Sequence, residues 1–142
     1  MKKLIMMSAL AVIVSLSTCA QKLDASKVPA AVKASFVKKY PGLTTKWEKE
    51  DGKYEAGFKQ NGNTMSAMFE PNGTFTESET EIKVSELPAG ISTYVKEHYK
   101  GKTIKGAAKI TSADGAVTYE AVVNGKDVMF DANGKFLKQV ED

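Results

Sequence analysis

The feature that most constrains this chain is an internal repeat. Val28-Pro29-Ala30-Ala31-Val32 corresponds to Leu87-Pro88-Ala89-Gly90-Ile91, 59 positions on. At the same offset Phe36 matches Val95 and Tyr40 matches Tyr99. Tyr54-Glu55-Ala56 matches Tyr119-Glu120-Ala121 at an offset of 65, after a small insertion. Asn61-Gly62 then matches Asn124-Gly125. Phe69, Asn72-Gly73 and Phe75 match Phe130, Asn133-Gly134 and Phe136, 61 positions on. One unit runs over residues 27–82 and the other over 86–142.

Each unit reads as a helix followed by strands. Val28, Val32, Phe36 and Tyr40 recur every four residues and form one apolar stripe. Pro29 suits the first helical turn, where its missing N–H costs nothing, and Pro41-Gly42 ends the pattern. Leu87, Ile91, Val95 and Tyr99 repeat the stripe, with Ser85 as the expected cap and Gly101 as the stop. Asp51-Gly52, Asn61-Gly62 and Asn72-Gly73 punctuate the first unit. Asp114-Gly115, Asn124-Gly125 and Asn133-Gly134 punctuate the second. Such dipeptides favour tight hairpin turns, so three per unit imply four antiparallel strands. Alternation gives those strands two faces. Tyr54, Ala56 and Phe58 share one face, and Glu55, Gly57 and Lys59 the other. A unit of this size buries too little surface to be stable alone. The expectation is therefore an α+β fold: one continuous eight-stranded sheet with both helices on one face and the other face open.

The first twenty residues follow a different logic. Met1-Lys2-Lys3 is basic, Leu4 to Leu16 is almost wholly apolar, and Ser17-Thr18-Cys19-Ala20 is small and polar. That is the pattern of a secretory signal peptide over residues 1–20. The apolar run is shorter than the roughly 20 residues a membrane span needs. Cleavage after Ala20 would give a periplasmic or secreted protein. The alternative is an outer-membrane-anchored lipoprotein, with a lipid anchor on Cys19. Leu16-Ser17-Thr18-Cys19 resembles a lipobox, although Thr18 stands where Gly, Ala or Ser is usual.

The leader also changes the charge argument. The chain carries 20 basic and 17 acidic residues, net +3. Lys2 and Lys3 leave with the leader, which lowers the net charge to +1. Charges are not segregated into blocks, so no nucleic-acid partner is implied. Cys19 is the single cysteine, so the mature chain has no internal disulfide and no cysteine metal site.

At this point the residues resemble a family. Tyr40-Pro41-Gly42 closing the helix, Trp47 on the first strand, and Tyr54-Glu55-Ala56 are similar to the PepSY-like, beta-lactamase-inhibitor-like proteins of bacteria. So are Phe69-Glu70-Pro71-Asn72-Gly73-Thr74-Phe75 and Phe130-Asp131-Ala132-Asn133-Gly134-Lys135-Phe136. The resemblance implies a tandem helix-plus-four-strand fold whose concave sheet can grip a partner. It implies no shared catalytic set, since most members have no assigned activity. The second unit departs from the pattern: Gly106 stands where the first has Trp47, and Tyr99-Lys100-Gly101 lacks the proline.

Chemistry-bearing residues are few. His98 is the single histidine and sits on the second helix without zinc-site spacing; it reads as a surface residue. Asp131-x-Asn133-Gly134 has part of a calcium-loop pattern, but Lys135 follows where an oxygen ligand is needed, so it reads as a hairpin turn. Glu77, Glu79 and Glu81 alternate and line one strand face, either as an attractor for a cation or a basic partner or as a solvated strand that resists edge pairing. No nucleophile–histidine arrangement, phosphate loop or cofactor motif is present.

The candidate binding surface is the open sheet face. Met68 and Met129 occupy equivalent places and point away from the helices, as does Val122. Trp47 is the fourth candidate, although alternation leaves its face open. Exposed methionine and aromatic groups in one patch suggest a contact surface; packing against a loop would be the alternative. The sequence thus describes an exported, non-enzymatic module that binds a protein through this face. The alternative is a small-ligand or envelope-polymer binder with a groove between the two units.

Overall fold

The computed structural model describes residues 21–140; the leader, Cys19 included, lies outside them. The fold is α+β, an open antiparallel sheet with two helices. Its elements in chain order are β1 (Gln21–Leu23), α1 (Ala30–Lys39), β2 (Lys46–Glu50), β3 (Lys53–Gln60), β4 (Asn63–Phe69) and β5 (Phe75–Ile82). Then follow α2 (Ala89–His98), β6 (Ile104–Ser112), β7 (Val117–Val123), β8 (Lys126–Asp131) and β9 (Phe136–Val140). A short 3₁₀ turn precedes each helix, at Ala25–Lys27 and Val84–Glu86.

The sheet has nine strands, not the expected eight, and each is paired with its neighbour in sequence. The extra strand, β1, lies on the edge and pairs with β2 through Gln21, Lys22 and Leu23. Ser85 does not cap α2. It lies in the 3₁₀ turn, and the helix begins instead on Pro88, whose carbonyl accepts from Ile91.

The turns divide into two kinds. At Asp51-Gly52, Asn61-Gly62 and Asn124-Gly125 both residues have positive φ, the conformation that suits two-residue hairpins. At Asn72-Gly73 and Asn133-Gly134 only the glycine does, and a side-chain oxygen organises the turn. Asn72 Oδ1 accepts from Thr74 N–H at 2.9 Å, and Asp131 Oδ1 accepts from Asn133 and Lys135 N–H, each at 2.9 Å. The Asp131 carboxylate is therefore engaged by turn amides, as a hairpin requires. Gly73 is needed twice over. Its φ is +89°, and a Cβ there would lie 2.6 Å from the Ala31 carbonyl oxygen. The turn thus docks on α1.

Both helices lie on the same face. Under α1, Val32, Phe36 and Tyr40 pack on Trp47, Tyr54, Ala56, Phe58, Ala67 and Phe69. Phe36 is the hub, with ring centroids 5.3 Å from Phe58, 5.6 Å from Trp47 and 6.5 Å from Phe69. Under α2, Ile91 and Val95 pack on Ala107, Ala121, Val123, Val128 and Phe130. Strand β5 carries Ser78, opposite Ala67, and Ile82, opposite Ala107, on one face, so the two clusters share a side of the sheet. Between them lies a strip of Thr80, Lys109 and Thr111 that joins neither cluster.

Because Phe36 contacts rings from three strands, truncation removes a large buried volume that the sheet cannot refill. Phe36→Ala is expected to cost about 3–5 kcal/mol, read as a lower urea midpoint with an unchanged slope. A loss under about 1 kcal/mol would show that Phe36 is not the hub.

Candidate functional site: an acidic groove on the free sheet face

Strand alternation sends one set of side chains away from both helices. Register pairs them in rows: Glu55 with Met68 and Glu77, Ser66 with Glu79 and Ile110, and Glu81 with Ala108, Glu120 and Met129. A further row pairs Gly106 with Val122, Asp127 and Val140. A groove of about 870 Å³ runs across this face. Thr45, just before β2, and Lys46 and Glu48 of β2 bound it on one side, and Glu120 and Val122 of β7 on the other. Gly57, Ser66 and Ala108 contribute to its lining, together with Glu55, Glu79 and Glu81.

The groove therefore gathers five carboxyls, Glu48, Glu55, Glu79, Glu81 and Glu120, against Lys46 and Lys59. Carboxyls thus outnumber lysines in this hollow, although the chain carries a net charge of +3. Glu120 is only 4% exposed, and its Oε2 is buried with no hydrogen-bond partner among the described residues. Burying a carboxylate without a donor is costly, so the group holds its proton instead. Burial pushes Glu120 up to about 9, reinforced by Glu79 and Asp127. Burial likewise raises Glu79 to about 7, with Glu55, Glu77, Asp127 and Glu81 adding repulsion. Glu77 is raised by burial too, with nearby Lys53 opposing.

The sequence candidates are placed as follows. Met68, Val122 and Met129 lie on the free face, but the two methionines are not exposed. Met68 is 6% exposed and Met129 1%, and Met129 packs with Ile110 and Val140. No open methionine patch exists there. Trp47 is not on this face: it pairs with Ala56 and packs edge-on against Phe36, under α1. Only Val122 of the four lines the groove. The counterpart of Trp47 is also not Gly106. Trp47 opposes Ala56 and Ala107 opposes Ala121, so Ala107 holds the equivalent place. A register shift between Ile104 and Gly106 hides this in the sequence. Gly106 instead faces Val122 on the free side, where a Cβ would lie 3.3 Å from Val122 Cγ2.

His98 is exposed on α2, stacked on Tyr94 at 3.9 Å with Nδ1 3.0 Å from the Tyr94 carbonyl oxygen. It takes no part in the groove. Glu77, Glu79 and Glu81 do share the free face, but β5 is the central strand and is paired on both sides. They are therefore not guards of a sheet edge. Sequence alternation does not mark Glu120 as a site residue. The available signal was that Tyr-Glu-Ala places a carboxyl at the same free-face position in both units, at Glu55 and Glu120.

Comparison with known proteins now fits the fold. The profile of the beta-lactamase-inhibitor-like, PepSY-like family matches the chain twice, over residues 16–76 and 52–138. The chain belongs to this family. Solved structures share its fold. A protein of Bacteroides eggerthii assigned to the periplasm is 18% identical with a TM-score of 0.71, covering 80% of this chain and 88% of its own. A DUF2874 family protein of Bacteroides ovatus is 20% identical with a TM-score of 0.70, covering 79% and 86%. A BLIP-like protein of Bacteroides fragilis is 24% identical with a TM-score of 0.64, covering 79% and 85%. A search of curated proteins finds no match. No helix among the described residues is long and apolar enough to cross a membrane.

The buried carboxyls have a consequence for stability. Raised acids bind more protons in the folded chain than in the unfolded one between the ordinary carboxyl value and the folded value. Stability is then fully present below the unfolded value and is lost as pH rises through about 7 for Glu79 and about 9 for Glu120. The folded protein should lose several kcal/mol between pH 5 and pH 8, at about 1.4 kcal/mol per pH unit for each raised group. Glu120→Gln should raise stability at pH 8 and flatten the slope, as urea melts at the two pH values would show. An unchanged slope would mean that Glu120 ionises normally.

Proposed function

We propose that this chain is an exported, non-enzymatic binding module of the periplasm that receives a protein partner in the groove on its free sheet face. The observation that carries this is the groove itself. The sheet packs its helix side under two clusters, yet leaves a hollow on the other side that draws residues from both units. A buried carboxyl with no internal partner is a cost to the fold, and a site that retains one has reason to offer it to a ligand. The inhibitor-like description of the family supports a protein partner, and the periplasmic assignment of a relative supports export.

A second reading has its own support. A volume of about 870 Å³ lies within the roughly 300–1,000 Å³ of small-molecule sites, so a small ligand could occupy the same groove.

Filling the groove separates binding there from binding elsewhere. Ser66 is half-buried in the lining, and Ser66→Trp would occupy the hollow without altering either helix-side cluster. Envelope extract from the source cell is passed over immobilised mature protein and over this variant, with folding checked by circular dichroism. A protein retained by the unmodified chain and lost by Ser66→Trp supports the proposal. A protein retained equally by both would move the partner off the groove.

A further inference from the structure

The proposed function leaves open what chemistry the groove recognises, and the following rests on that reading. Four properties of the site bear on it. It holds more carboxyls than lysines, although the mature chain is close to neutral. The lysines lie at its margin: Lys46 and Lys59 are exposed, whereas Glu120 is buried. Glu120 lines the hollow, and its buried Oε2 has no hydrogen-bond partner among the described residues. Beside these acids lie the apolar side chains of Val122 and Ala108.

We infer that the groove accepts a basic side chain, arginine or lysine, presented by a partner polypeptide, with Glu120 and Glu79 as its counter-charges. Such side chains are amphipathic. Their aliphatic stems cover apolar surface while the charged head seeks a polar site. The groove offers both in sequence, with Val122 and Ala108 for the stem and the carboxyls for the head. Bare metal is a poorer occupant: no cluster of three or more acidic, histidine or cysteine ligands able to hold an ion exists among the described residues. A free polyamine would use the charges but leave the apolar wall uncovered.

The pairing also resolves a local conflict. Several carboxyls crowd one low-dielectric hollow, where like charges repel and each favours its neutral form. A cation among them makes ionisation favourable and gives Glu120 the donor that it lacks. Charge-assisted hydrogen bonds of this kind are about twice as strong as neutral ones. An arginine should therefore be distinguished from its neutral isostere by about tenfold in affinity.

The test uses the mature protein and two short acetylated, amidated glycine–serine peptides. One carries a central arginine and the other the uncharged isostere citrulline. Binding is followed by amide chemical shifts of Gly57, Gly106 and Val122. The arginine peptide should shift these resonances and bind about tenfold more tightly than the citrulline peptide. Glu120→Gln should abolish the difference; Glu79→Gln serves as the second variant if the first disturbs the spectrum elsewhere. Equal binding of the two peptides would overturn the cationic assignment while leaving a polypeptide groove intact. No shift with either peptide would overturn it as well, and capture of a partner that Ser66→Trp loses would still stand separately for the groove. Spermidine binding more tightly than the arginine peptide would overturn the polypeptide source.

Discussion

Everything distinctive about this molecule depends on one strand pairing, that of β5 with β6. Six residue pairs, from Glu77–Ser112 to Ile82–Ala107, join the two helix-and-strand units into one sheet. Without this seam each unit would be a small sheet with one helix, too small to bury adequate surface. With it, β5 serves both halves. Ser78 is hydrogen-bonded to the hydroxyl of Tyr40, just after α1, and Ile82 packs with the second cluster. The helix-side clusters stay separate, so the backbone ladder rather than a common core carries the connection.

The seam also makes the groove. Glu79 and Glu81 are on β5 and Ala108 is on β6, with Glu55 and Ser66 before them and Glu120 and Val122 after. Neither unit contains the hollow by itself. A tandem repeat has thus produced a site at its junction that has no counterpart within either copy. The cost is the burial of Glu120 and Glu79, which with their acidic neighbours pushes both carboxyls above the usual range.

Much of the fold was legible in the sequence because the repeat printed each signal twice. The apolar stripes gave both helices, and the Asn-Gly and Asp-Gly turns gave β2 to β9. Strand β1 was not legible. It is three residues long, lies on an edge, and follows the leader with no alternation of its own. Ser85 looked like a cap because serine usually is one, but the chain spends it in a 3₁₀ turn and lets Pro88 begin the helix.

The site was less legible, for a physical reason. Alternation assigns a residue to a face; it does not say how deep that face is. Met68 and Met129 were correctly sent to the free side, yet both are buried there, and Met129 has its own small cluster with Ile110 and Val140. Trp47 needed the register with Ala56 before its face could be fixed, and that register puts it beneath Phe36. Glu120 reads in sequence as an ordinary outward strand residue. Only the groove across the free face reveals that outward here means inward to a hollow.

The claim on which the rest stands is that the two units form one cooperative sheet. Native-state hydrogen exchange tests it directly. The account predicts that amides paired across β5 and β6 exchange only through global unfolding, with the same free energy as the ladders inside each unit. Exchange at the seam with a distinctly lower free energy, while β3–β4 and β7–β8 stay protected, would mean two units that part independently and a groove that does not persist.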